Sequence, residues 1–113
     1  MTSRPNPLKL NALQLKTLVI LQELARDGDV ASPAEDGAVA IRELPRPHGD
    51  HFHVGSAVVL SRDATGLFNP SVYGALARKG LVLGAPAGMP VVTREGLAYE
   101  TGIAGTILHR ADH

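Results

Sequence analysis

Apolar positions along this chain change their period several times, and each change marks a predicted element. From residue 12 to 26 neither Gly nor Pro interrupts the chain, and Leu13, Leu18, Ile20, Leu21, Leu24 and Ala25 fall on one broad arc at about 100° per residue. Asn11 stands before this run as an N-cap, Gln14 follows three residues on in a variant of the capping box, and Gly28 supplies the stop. The pattern is that of a helix. Leu15 and Val19 lie outside the arc, beside Gln22 and Arg26. A helix apolar on more than one side is covered on more than one side. These two residues therefore meet either the rest of the chain or a second copy of it.

Periodicity is lost over 27–50, where Pro33, Pro45 and Pro47 alternate with Gly28, Gly37 and Gly49. Only 38–44 alternates, with Val39 and Ile41 against Ala40 and Arg42, so the segment is predicted to be a long loop or insertion with at most one short strand. Phe52 and Val54 then alternate with His51 and His53, a short strand ending at Gly55. Ser56 is placed to cap a helix over 57–63, with continuation of the strand as the competing outcome because Val58 and Val59 are β-branched. Residues 64–66 make a turn. Asn69-Pro70 opens a helix that Gly80 closes, and 81–83 is a strand. A Gly/Pro-rich loop over 84–90 leads to the return strand Val91-Val92, and Thr93 caps a last helix that pauses at Gly102. Residues 1–10 read as a flexible arm, and 103–113 as a tail with Ile103, Ile107 and Leu108 on a short helix.

Two stretches carry a resemblance. Leu76-Ala77-Arg78-Lys79-Gly80-Leu81-Val82 resembles the end of a recognition helix stepping into a wing, and Val91-Val92-Thr93-Arg94-Glu95-Gly96-Leu97 resembles the exit from that wing into the next helix. With the order of elements, they make residues 11–102 similar to the winged helix-turn-helix family. The resemblance implies an α+β, mainly α fold: a three-helix core, a two-stranded β-hairpin wing and a C-terminal helix, with 27–50 as an acidic insertion. It also implies binding to duplex DNA and a role in transcription regulation. Arg78 and Lys79 would reach phosphates or a guanine edge, Ser71 and Tyr73 would donate to phosphate, and Arg62 and Arg94 would add phosphate contacts. Val72, Ala75 and Leu76 would face the core. The alternative within the same fold is a protein-interaction module that uses the apolar wing (Pro86, Met89) and the acidic insertion. A homodimer through the first helix (Leu15, Val19) or the C-terminal tail would double a DNA footprint that is otherwise small.

Composition narrows the chemistry. The 113 residues hold 11 basic and 11 acidic side chains and no Cys, which removes a bulk electrostatic case for nucleic acid, along with disulfides, cysteine-ligated metals and thiol nucleophiles. The charge is unevenly spread, at +3 over residues 1–26 (Arg4, Lys9, Lys16 and Arg26 against Glu23) and −4 over 27–50 (two bases against six acids). No apolar run reaches the roughly 18 residues of a membrane span, and the N-terminus shows no signal-peptide pattern, so a cytoplasmic protein is expected. No Gly-x-Ser-x-Gly turn and no phosphate-cradling glycine motif is present, and four aromatic residues are too few for a base-stacking platform. The sequence points away from an enzyme.

One cluster stands apart. His48, Asp50, His51 and His53 crowd six positions. On a strand, His51 and His53 share one face, and two such imidazoles can hold a divalent metal such as zinc, with His48 or Asp50 reaching in as a third ligand. The plainer outcome is a polar edge strand with solvated histidines. Otherwise no cofactor is indicated.

Overall fold

The computed structural model describes residues 5–83 and 89–110. Within it Asn11 closes a reciprocal capping box: its side chain accepts from the Gln14 N–H at 2.8 Å, and the Gln14 side chain accepts from the Asn11 N–H at 3.0 Å. Helix α1 (Ala12–Leu24) starts there and becomes the spine of the core. Leu18, Ile20 and Leu21 are fully buried, and Val19 and Leu15 nearly so, among residues from both sheets and from the next helix. The second apolar side of α1 is thus covered by the chain itself. Leu15 and Val19, proposed from sequence for a dimer contact, are core residues.

The expectation of a mainly α winged helix is overturned by the sheets. The fold is α+β, with two four-stranded antiparallel sheets and four short helices among the described residues. The first sheet has the order β1-β2-β7-β6, from Ala31–Pro33, Val39–Ile41, Val91–Val92 and Val82–Leu83. The second has the order β3-β4-β5-β8, from Pro47–His48, His51–Val54, Ala57–Leu60 and His109–Arg110.

The three-helix core fails at its second member. Residues 57–60 are strand β5, hairpinned to β4 through a two-residue turn in which Gly55 takes φ +58°, and only the single 3-10 turn Ser61–Asp63 follows. The β-branched Val58 and Val59 fit a pleated surface better than a helix, and strand pairing lets Val59 reach the core while Val58 stays half exposed. The segment 27–50 is likewise no loose insertion. It supplies β1, β2 and β3, and β2 pairs with β7 in the register Val39↔Val92 and Ala40↔Val91. After its short helix α4 (Ala104–Ile107) the tail continues into β8, which pairs with β5, and residues 111–113 lie outside the described residues. Arg110 of β8 donates to the buried Glu23 carboxylate of α1 at 2.9 Å and to Ser56 Oγ at 2.8 Å.

Elsewhere the local signals hold. Asn69 accepts from the Ser71 N–H and opens α2 (Pro70–Arg78), and Gly80 takes φ +76° just beyond it. Thr93 Oγ1 accepts from the Gly96 N–H and opens α3 (Arg94–Ala98). Gly96 lies against the backbone of Leu81 and the side chain of Val92, so α3 sits directly on the β6-β7 hairpin. Among the described residues no helix is long and apolar enough to cross a membrane.

Candidate metal centre

The β3-β4 hairpin is built on a two-residue turn, Gly49-Asp50, since His48 pairs with His51 and Pro47 with Phe52. Gly49 takes φ +72° while Asp50 does not have a positive φ, the pattern of a type II′ turn with glycine at its first central position. The Asp50 carbonyl accepts from the Ser61 N–H at 2.8 Å, which ties the turn to the end of β5. Directly paired residues of antiparallel strands share a sheet face, so His48 stands beside His51, and His53 follows two residues along β4 on the same side. Phe52 and Val54 point the other way into the core. That burial fixes the face: a one-residue slip would bury the histidines and expose Phe52 and Val54.

The three imidazoles form a triangle. Ring centroids are 5.4 Å apart for His48–His51 and His48–His53 and 5.0 Å for His51–His53, and one ligand nitrogen from each lies within 4.8 Å of the others. A tetrahedral ion with metal–nitrogen bonds of about 2.0–2.1 Å holds its donors roughly 3.4 Å apart, a closure that side-chain rotation supplies. His48 and His53 are exposed and His51 is half-buried, so solvent reaches the centre of the triangle. Of the two residues placed to supply a third ligand, His48 joins the cluster. Asp50 instead pairs with His51, with Oδ1 3.2 Å from His51 Nδ1. That hydrogen bond holds the Asp50 carboxyl below its ordinary range, helped by its own backbone amide and by the charge on the imidazole.

The same face extends further than the sequence indicated. His53 pairs with Val58, and Val58 with His109 of β8, so a fourth histidine lies on this surface two strands away, roughly 10 Å across the sheet. The period-2 reading of 51–54 exposes His51 and His53. The contribution of His48 depends on the Gly-Asp turn, whose sequence signature was present between His48 and His51.

The residues expected to contact DNA lie on several elements. Arg62 lies on the 3-10 turn after β5, Ser71 and Arg78 at opposite ends of α2, Lys79 at its C-cap, and Arg94 at the start of α3 beside Glu95 at 3.7 Å. All five are exposed. Tyr73 is not: it is 7% exposed, and its hydroxyl donates to the Leu67 carbonyl at 2.6 Å. It braces the turn before α2 and has no free hydroxyl for a phosphate. Met89 of the expected wing is exposed, whereas Pro86 lies outside the described residues.

Burial pushes the Tyr73 phenol up to about 12, against about 10 for an unfolded tyrosine. A raised folded value means that this contribution is complete below pH 10 and is lost as pH climbs from about 10 to about 12. The loss is on the order of 2 kcal/mol. Tyr73→Phe is expected to cost about 1–2 kcal/mol at neutral pH, because the Leu67 carbonyl loses its donor, and to flatten the alkaline fall. Urea denaturation of both proteins across that pH range measures the two effects together.

Comparison with protein-family models, with curated proteins and with solved structures gives no match to this chain.

Proposed function

We propose that this protein binds a divalent transition-metal ion through His48, His51 and His53. The observation that supports this is the convergence of three imidazole donors, from two strands, to within 4.8 Å on one sheet face. Imidazole is a ligand of intermediate softness, suited to zinc, nickel, cobalt or copper(II), whereas magnesium and calcium take oxygen donors. Three neutral donors leave at least one coordination position open on the solvent side, the arrangement of an exchangeable site.

Metal binding joins β3 to β4 and favours the folded chain. At a free metal concentration of about 100 times Kd, linkage adds roughly 2.7 kcal/mol of stability. Calorimetric titration of chelator-stripped protein with zinc and with nickel is expected to show one ion per chain, and the same ions are expected to raise Tm while magnesium does not. A flat titration with both transition metals, together with an unmoved Tm, would overturn the proposal.

A further inference from the structure

A carboxylate already engages one of the three imidazoles, from a turn whose backbone is tied to the end of β5. Asp50 occupies the second place of the Gly49-Asp50 turn, with its carbonyl held by the Ser61 N–H. Its Oδ1 stands 3.2 Å from His51 Nδ1, with the side chain 95% exposed. Among the described residues neither His48 nor His53 has such a hydrogen-bond partner. His51 is also the most shielded of the three, with its side chain 29% exposed.

A neutral imidazole carries one proton, on either nitrogen, and the other nitrogen holds the lone pair that binds a metal. A carboxylate accepting from Nδ1–H places the proton on Nδ1 and frees Nε2, and it makes that lone pair more basic. Resting on the metal-binding reading, we infer that Asp50 is the positioning residue of the site: it holds His51 in the Nδ1–H tautomer, with Nε2 turned to the metal. His51 is then the preset ligand, and the exposed His48 and His53 rotate in to complete the set. Asp50 itself does not bind the ion, since its oxygens lie outside the cluster of converging donor atoms.

Two measurements on the full chain test this. Long-range proton–nitrogen NMR of the metal-free protein, above the histidine titration range, reads which nitrogen of His51 carries the proton. Competition against a chromophoric chelator reads zinc affinity. Wild type is expected to show the Nδ1–H form. Asp50→Ala is expected to shift His51 towards the Nε2–H form and to weaken zinc binding about tenfold or more. Asp50→Asn keeps an acceptor oxygen in the same place and is expected to recover part of both.

Wild type showing His51 in the Nε2–H form would overturn the inference. So would unchanged zinc affinity in Asp50→Ala beside tight wild-type binding, and either result leaves the metal site standing. Absence of zinc binding by wild type itself would instead remove the metal reading, and the inference with it.

Discussion

His51→Ala is expected to weaken zinc binding about a hundredfold or more, the largest functional effect available to a single substitution in this chain. Losing one of three donors leaves two exposed imidazoles, His48 and His53, whose side chains must then be ordered by the ion alone. It also removes the one imidazole of the three with a hydrogen-bonded carboxylate partner among the described residues. The substitution removes no core packing, because His51 lies on the face opposite Phe52 and Val54, so the fold is expected to survive it. His109→Ala is the control. His109 shares the sheet face but lies beyond Val58 and outside the triangle, and its loss is expected to leave zinc affinity unchanged. Equal weakening in both variants would mean that the ion is held by the histidine-rich surface as a whole and not by the three-residue site.

Gly96→Ala is expected to be the most damaging small substitution to stability. A methyl group at this position would run into the Leu81 carbonyl oxygen and approach Val92 Cγ1 to 2.9 Å. Neither neighbour can move freely: Leu81 belongs to the turn closed by Gly80, its carbonyl accepts from the Thr93 N–H, and Val92 is fully buried in the first sheet. Helix α3 must therefore lift off the β6-β7 hairpin. That separates the Gly96 N–H from Thr93 Oγ1 and the Gly96 carbonyl from Gln22 of α1. The combined cost is put at about 3 kcal/mol or more. Gly105→Ala is the counterpart. That glycine lies in helix α4 with nothing near its missing Cβ, so the change is expected to be neutral or to stabilise by up to about 1 kcal/mol. Denaturant titration of the two variants reads the difference, and equal midpoints would show that α3 does not rest on Leu81 as described.

What the sequence disclosed and what it concealed divide along the range of the interactions. Asn11, Asn69, Thr93 and Gly80 act on their own neighbours within a few residues, and the elements they bound are where their spacing predicted them. The strands of 27–50 are two or three residues long, too short for a period to register, and one of them gains its partner about fifty residues later. Strand β8 was missed for the same reason. The choice between helix and strand at 57–60 was a close one on local grounds, and it was settled by pairing on both sides, to β4 and to β8. At the site, period-2 alternation marked His51 and His53. The alignment of His48, and the diversion of Asp50 from ligand to hydrogen-bond acceptor, depend on the turn type and are not visible in alternation alone.

The two sheets differ in how far apart their partners lie along the chain, and this sets an order of events during folding. Strands β3, β4 and β5 are consecutive, joined by two-residue turns within residues 47–60. Such hairpins close in roughly 1–10 microseconds. The β2-β7 pairing must first bring together positions fifty residues apart, a slower, entropy-limited step. All three histidines are thus in place on a segment that can form while the C-terminal third of the chain is still being synthesised. An ion captured at that stage would act as a clasp on the nascent hairpin, present before the slower β2-β7 closure is made.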